Sequence, residues 1–275
     1  MPFTPSHAVV ALPFVRTPLV PAAIAVGAMT PDLPLFLRGM VPHYGMTHDP
    51  VWMPLTVTVA LVLLLAWRCV LRPAVTEFVP GVVASRLPSE WEGGARAGAR
   101  ETFAGGVRGL LLLVLSLAIG VLSHIVWDVF THEGRAGTDL FPVLEEQWGP
   151  LLGIKWLQHG SSVVGLAILA VAGAVWLARR RPRAVSRVLP SAARVVWWAS
   201  LPAALIVASV VGLVTLGPFD GEFTPAHLAY ATLPQACAVW GVASLLACIV
   251  LQERRRRTLP RKDAESGLRH ARDRA

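Results

Sequence analysis

Long apolar runs are the feature that most restricts what this chain can fold into. Five of them approach the length of a bilayer span, which needs about 20 apolar residues. They cover residues 51–71, 107–130, 160–178, 196–216 and 227–251. Lipid admits only helices or closed barrels, and the apolar residues here do not alternate. We therefore predict an all-α fold, an integral-membrane helical bundle with about five transmembrane helices.

The composition supports this class. The chain is 54% hydrophobic and 15% charged, whereas soluble domains carry about 25% charged residues. The cysteines Cys69, Cys237 and Cys248 lie within apolar runs and form no CxxC pair. They predict neither a disulfide framework nor a soft-metal site, and we interpret them as small buried hydrophobic residues.

The N-terminal region is a sixth apolar stretch, 8–29, interrupted by Arg16 and by three prolines. A cleaved signal peptide opens with positive charge, but the first basic residue here is in mid-stretch, so we expect the segment to be retained. Two short helices in a re-entrant hairpin would return Asp32 to the side of His7. A single kinked sixth span would separate them. We predict the broken, re-entrant hairpin.

The loop charges predict an orientation, because basic loops remain in the cytoplasm. Loop 179–195 has six Arg and no acidic residue, and the tail 252–275 has nine basic and four acidic residues. Loop 131–159 has two basic and four acidic residues, and loop 217–226 has acidic residues alone. We therefore predict that loop 72–106, loop 179–195 and the tail lie on the cytoplasmic side of the membrane. The acidic loops 131–159 and 217–226 are predicted on the outer side.

The domain prediction follows from these runs. Residues 1–251 form a single integral-membrane domain, and 252–275 form a basic, disordered cytoplasmic tail. We interpret the tail as an anchor that fixes topology, so the lipid bilayer is the expected partner and no nucleic acid is expected. The protein is then a multi-pass protein of the cytoplasmic membrane. The sequence predicts no particular oligomeric state.

Given this orientation, nearly all histidines fall at the outer ends of the spans, and His270 in the tail is the exception. The outer set is His7 (with the hairpin), His43, His48, His124, His132, His159 and His227. Because loop charge alone fixed the orientation, this clustering independently supports a site on the outer face. A single histidine at a membrane interface is usually just an amphipathic surface residue without a specific function, and we interpret His227 in this way. The role of His43 stays open.

The segment SHIVWDVFTH spaces His124, Asp128 and His132 at intervals of four. Side chains four apart share a helix face, so His124 and Asp128 can bind one ion. His132 lies about 12 Å from His124 along a helix and joins only if the helix unwinds near 131–134. A carboxylate at the bilayer centre costs about 2.5–3.5 kcal/mol, which a cation would offset.

Other short segments supply further polar groups. TPDLPLF holds Asp32 between two prolines, HYGMTHD supplies His48 with Asp49, and QHGSS places Gln158 and His159 before a predicted helix start. Imidazole and carboxylate ligands suit zinc, and also manganese or iron. The predicted metal ligands are His7, Asp32, His48, His124, Asp128, His132 and His159.

The segments MPFTPSH, AMTPDLPLF, THD, LSHIVWDVFTH and QHGSSVVG resemble a bacterial membrane-protein family catalogued as domain of unknown function 4184. The resemblance extends from residue 1 to about residue 251. More distantly, the order of His and Asp residues is similar to membrane-bound metal-dependent hydrolases and to zinc-dependent bacterial phospholipase C. That similarity implies that His7, Asp32, His48, His124 and Asp128 are metal ligands. It also implies that His132 and His159 are further ligands or support them.

The leading functional hypothesis is a membrane metal-dependent hydrolase that cleaves an ester or phosphoester in a lipid-linked or envelope substrate at the outer face. Asp128 or Asp32 would orient the attacking water, and Glu133 is a second candidate general base. Two alternatives stay open. Intramembrane His and Asp also serve transporters as proton or metal-ion relays. A bound metal can also staple short helices into a scaffold without catalysis.

Overall fold

The computed structural model describes residues 4–40, 42–221 and 223–272, with side chains through Thr258. Glu222 of the predicted outer loop and the last three residues of the tail lie outside this range. The described residues are almost entirely helical, and the fold class is confirmed as all-α. One pair of two-residue strands interrupts the helices, with Gln147 opposite Leu152 in antiparallel register.

Most connections are short, and the longest irregular segment among the described residues covers 179–190. The α-helices before the second span are α1 Pro21–Met29, α2 Leu33–Phe36, α3 Tyr44–Thr47, α4 Met53–Leu65, α5 Arg72–Phe78, α6 Gly81–Ala84 and α7 Gly94–Thr102. They are followed by α8 Gly106–Thr131, α9 Ala136–Leu140, β1 Gln147–Trp148, β2 Leu151–Leu152, α10 Gly153–Ala178, α11 Ser191–Leu216 and α12 Pro225–Arg272. The 3-10 helices are Thr4–Phe14, Thr30–Asp32, Pro50–Trp52, Ser89–Gly93 and Pro142–Glu145, and Ala66–Leu71 forms a π-helix.

Five helices in the described part of the chain are long and apolar enough to cross a membrane. They are Pro50–Phe78, Gly106–Thr131, Gly153–Ala178, Ser191–Leu216 and Pro225–Thr258. Each contains one of the predicted spans, so the prediction of a multi-pass membrane protein with about five transmembrane helices is confirmed.

The start of α10 was predicted wrongly. The sequence placed Gln158 and His159 before the helix, whereas α10 already begins at Gly153. The hydroxyl of Ser162 donates to the carbonyl of Gln158 within the helix at 2.8 Å. The polar residues of its first turns lower the local hydropathy, which is why the apolar run begins later than the helix.

The chain divides into two compact units. The first comprises the residues up to Ala66 together with Ala99–Arg179, and the second comprises Trp67–Gly98 together with the residues from Arg180 onward. Each is described separately below. The single integral-membrane domain over 1–251 and the disorder of the tail stay predictions.

The first unit contains the predicted hairpin, which is confirmed. The 3-10 helix Thr4–Phe14 and α1 lie against each other, and the Thr4 hydroxyl donates to Asp32 Oδ2 at 2.7 Å, joining the two ends of the hairpin. Helix α1 also packs closely on α8. A Cβ at Gly27 would clash with the carbonyl oxygen of Leu117, and one at Gly120 with that of Ile24. Small residues at such contacts allow close backbone approach in membrane helices.

A buried carboxylate organises the second unit. Glu77 on α5 is fully buried and accepts hydrogen bonds from the backbone N–H groups of Val188 and Leu189 at 3.0 and 2.9 Å. The guanidinium of Arg255 lies 3.6 Å from the same carboxylate. These contacts hold the segment before α11 to α5 and satisfy a charge that burial would otherwise strongly disfavour.

Candidate metal centre

Six titratable side chains of the first unit converge at one place, which we call the His–Asp cluster. Its members are His7, Asp32, His48, His124, Asp128 and His132. The first comes from the N-terminal 3-10 helix, the second from the 3-10 turn Thr30–Asp32, and the third from the end of α3. The remaining three come from the last turns of α8 and the residue that follows it. Five of the six are at most 9% exposed, and the His132 side chain is 21% exposed.

The donor atoms face each other at separations that suit a shared ion. His48 Nε2 lies 3.4 Å from Asp128 Oδ2, and His124 Nε2 lies 3.5 Å from the same oxygen. His124 Nε2 is also 3.6 Å from Asp32 Oδ1. These distances exceed those of N–H···O hydrogen bonds. Two ligand atoms of one tetrahedral zinc ion lie about 3.4 Å apart, so the residues present fit such an ion.

Backbone carbonyls orient the two central imidazoles. Nδ1 of His124 lies 2.8 Å from the carbonyl oxygen of Ala28, and Nδ1 of His48 lies 2.9 Å from that of Tyr44. A carbonyl oxygen only accepts, so each Nδ1 carries the proton. The Nε2 lone pair of each ring is therefore left for another partner, as in histidines that bind metals.

That partner is missing among the described residues. The Nε2 atoms of His7, His48, His124 and His132 are buried without a hydrogen-bond partner there, as is Oδ1 of Asp128. Buried polar atoms are satisfied in the great majority of cases. A cluster of four unsatisfied imidazole nitrogens beside two carboxylates therefore has the donor set of a cation site.

The cluster contains two groups of potential ligands that share His124. One is His7, Asp32 and His124, and the other is His48, His124 and Asp128, each with ligand atoms within 4.8 Å of one another. The single Nε2 lone pair of His124 binds one ion at a time. The groups therefore describe either one centre with up to five donors or two adjoining centres, of which His124 serves one.

His132 meets the condition set by the sequence. Helix α8 ends at Thr131, and His132 is extended, with φ −128° and ψ 139°. Its Nδ1 thereby comes within 3.6 Å of Asp128 Oδ2. Burial lowers the pKa of His132, which favours the neutral imidazole that binds metals. His132 nonetheless belongs to neither of the two groups with metal-like spacing.

Other predicted residues are not brought to the cluster. His159 is exposed on α10, whereas its neighbour Gln158 is buried. Glu133 is exposed and pairs with Lys155 at 3.6 Å. His43 is exposed, and so is His227, whose Nδ1 contacts the Thr224 hydroxyl. Roles for His159 as a ligand and for Glu133 as a base stay predictions without geometric support.

Sequence reasoning missed the groups that hold the ligands in place. Thr4, whose hydroxyl donates to Asp32, lies three residues before His7, and its spacing in the sequence predicts no role. The ring of Tyr44 stacks on His48 with centroids 3.8 Å apart. The carbonyls of Ala28 and Tyr44 have no signal in the sequence, because every residue carries one.

Comparisons with known proteins identify a family but indicate no activity. No curated protein and no solved structure matches the chain. The distant similarity to metal-dependent hydrolases therefore stays an expectation. One family model, described as "Domain of unknown function (DUF4184)", matches residues 1–254. Because the match covers nearly the whole chain, the protein belongs to the DUF4184 family.

Proposed function

We propose that the His–Asp cluster binds a divalent metal, with zinc as the first candidate and manganese or iron as alternatives. The observation that carries the proposal is the set of buried Nε2 atoms without hydrogen-bond partners among the described residues. His48, His124 and Asp128 would hold the ion, and Asp32 and His7 are further candidate ligands. Mixed imidazole and carboxylate donors suit these metals.

We further propose hydrolysis of an ester or phosphoester of a lipid-linked or envelope substrate. A divalent metal in such a site lowers the pKa of water towards about 7 and polarises the scissile group. Asp128 faces the imidazoles through Oδ2, while its Oδ1 is buried without a partner among the described residues. That oxygen is suited to accept a proton from the attacking water.

Water gives one proton to Asp128, and its oxygen bonds to the carbonyl carbon or phosphorus. The bond to the leaving oxygen breaks, and that oxygen takes the proton back from Asp128, so that an acid and an alcohol are released. His48 and His124 stay oriented by Tyr44 and Ala28 throughout. Their burial excludes bulk water from the reaction.

The distribution of ionisable groups favours this function over a transport relay. A relay needs such groups along the depth of the membrane. Among the described residues of the first unit, the buried ionisable side chains all belong to the His–Asp cluster. The buried positions earlier in α8 include Leu113, Leu117 and Val121, whose side chains have no ionisable group that could relay a proton.

We place the protein in the cytoplasmic membrane with its C-terminus in the cytoplasm, from the basic loops. Single cysteines at Glu146 and Ser186, in a variant lacking the native cysteines, test this. A membrane-impermeant maleimide applied to intact cells should label the Glu146→Cys variant and not the Ser186→Cys variant. The reverse pattern would overturn the orientation.

A hydrolysis assay tests the catalytic proposal. The purified protein is incubated with acyl-ester and phosphoester lipid analogues, with and without chelator. We expect chelator-sensitive turnover that falls at least about 100-fold in Asp128→Asn, because the amide neither accepts the proton nor binds the metal as the carboxylate would. Asp139→Asn, at an exposed aspartate of α9, is the matched control and should keep turnover. Bound metal without turnover of either substrate would overturn hydrolysis and favour a metal-stapled scaffold.

A further inference from the structure

A cavity of about 350 Å³ in the first unit adjoins the His–Asp cluster. It lies between the N-terminal 3-10 helix, α8 and α10, and its lining includes Ser6, His7, Val10, Trp127, Val164 and Ile168. No step of the proposed hydrolysis involves this cavity. Its volume is at the lower end of the roughly 300–1,000 Å³ of ligand pockets, a size that suits one chain rather than a whole lipid.

The cavity is polar at the end nearest the cluster. The His7 ring lies there, with its centroid 4.2 Å from that of His124, its side chain buried and its Nε2 without a partner among the described residues. Beside it, the Trp127 indole donates to the Ser161 hydroxyl at 3.3 Å, linking α8 to α10. These residues contribute polar groups to the lining, and His7 places a titratable ring on the cavity wall.

The rest of the cavity lining is mainly apolar. Along α10, Ser161 and Ile168 are seven positions apart, which is about 10 Å of helix. Val164 and Ile168 line this part and are themselves 57% and 45% exposed. Exposed apolar surface on a membrane span faces acyl chains, so the cavity opens sideways toward lipid rather than toward water.

We propose that this cavity receives one fatty-acyl chain of a membrane lipid and thereby presents the lipid's ester or phosphoester to His7 and the cluster. This proposal rests on the proposed function. The substrate of the hydrolysis would be an acyl lipid that enters from the bilayer. The chain lies against Val10, Val164 and Ile168, and the polar linkage lies at the end marked by Ser6 and His7. A water-soluble ester has no apolar part to fill this cavity and is a poor substrate.

Photo-crosslinking in a bilayer tests the proposal. The full chain is reconstituted in vesicles that contain a phospholipid with a diazirine in one acyl chain, and adducts are mapped by mass spectrometry. We expect adducts on Val9 and Val10 and on Ser123, which line the cavity. Ile206 and Val207 of α11 are exposed positions that report ordinary lipid contact.

Two neighbouring valines of α10 provide a matched pair. Val164 lines the cavity, whereas Val163 is 68% exposed and is not among its lining residues. Val164→Trp should lower the cavity adducts about tenfold, the effect of displacing roughly two buried methylene groups. Val163→Trp should leave them unchanged. Ile168→Trp provides a second cavity-filling variant if Val164→Trp does not fold.

The outcomes separate the cavity from the catalytic proposal. Equal cavity adducts in the cavity-filling variant and Val163→Trp would overturn the acyl cavity, whatever the metal content of the samples. Stronger labelling by a diazirine polyprenyl probe than by the phospholipid would also overturn it, in favour of an isoprenoid chain. Chelator-insensitive hydrolysis with normal cavity adducts would overturn the proposed function and leave the acyl cavity in place.

Discussion

Nδ1 of His124 lies 2.8 Å from the carbonyl oxygen of Ala28, a residue 96 positions earlier in the chain. This contact turns the ring so that Nε2 faces Asp32 and Asp128. It requires the backbones of α1 and α8 to lie very close together, which the absence of side chains at Gly27 and Gly120 allows. The orientation of a central imidazole thus depends on a glycine-lined helix contact.

The helix contact is testable with a single methyl group. Gly27→Ala should destabilise the protein by about 1–3 kcal/mol, because the new Cβ meets the backbone of α8 and the packing must open. Gly173→Ala on α10 is the control, since a Cβ there meets nothing within 4 Å. Melting temperature in detergent is the measurement. Equal melting temperatures for the two variants would contradict the close approach of α1 and α8.

The Thr4 hydroxyl is predicted to position Asp32. Thr4→Val removes the 2.7 Å hydrogen bond to Asp32 Oδ2 while keeping the side-chain shape. Losses of such supporting groups typically weaken metal binding about 10- to 100-fold. Thr58→Val is the control, because the exposed Thr58 hydroxyl bonds only within its own helix, to Pro54, among the contacts described. Competition titration with a chelator measures the affinity, and an unchanged affinity in Thr4→Val would rule this role out.

In the second unit, Glu77→Gln should be strongly destabilising. The amide keeps one acceptor oxygen but turns an N–H group toward the backbone donors of Val188 and Leu189. It also removes the more deeply buried of the two carboxylates that pair with Arg255, the other being Glu92. Breaking a buried ion pair typically costs about 3–5 kcal/mol. Thermal unfolding in detergent measures the change.

The control for Glu77 is an exposed glutamate that also pairs with arginine. Glu253 and Arg257 lie 2.8 Å apart on the surface of α12, where such pairs contribute little. Glu253→Gln should therefore leave the melting temperature unchanged. If both variants melted alike, the buried carboxylate would not be the organising contact of this unit.

Stability should depend on pH through Glu92. Burial raises the pKa of its carboxyl, but hydrogen bonds from Arg183 and Arg255 outweigh burial, and the pKa lies below the usual 4.5. A group with a lowered folded-state pKa stabilises the fold above its unfolded-state pKa, and this contribution is lost as the pH falls. The difference in melting temperature between wild type and Glu92→Gln should be large at neutral pH and shrink below pH 4.5. A difference independent of pH would contradict this role.

The sequence predicted the spans and most of the cluster because their signals are local. An apolar run is visible in the printed residues, and the i, i+4 pair His124 and Asp128 follows from helix geometry alone. The hairpin was predicted because prolines and Arg16 interrupt the first apolar stretch. The loop charges then grouped His7 and His48 with that pair before any contact was visible.

The arrangement that the sequence could not predict depends on long-range contacts. His159 and Glu133 carry suitable groups, but the rotation of α10 exposes the first, and Lys155 pairs with the second at the surface. Neither the rotation of a helix nor the partner of a surface charge can be deduced from spacing. The carbonyl of Ala28 reaches His124 only because two glycines meet across helices.

Elemental analysis of the purified protein shows whether the His–Asp cluster binds a metal. The full chain is purified in detergent without chelator and analysed for bound elements as wild type, His124→Ala and Asp128→Ala, with Asp139→Ala as the control at an exposed aspartate. We predict at least about one divalent ion per chain in wild type and control, and little in the two cluster variants. A wild type without metal, or cluster variants that retain the wild-type amount, would contradict the account.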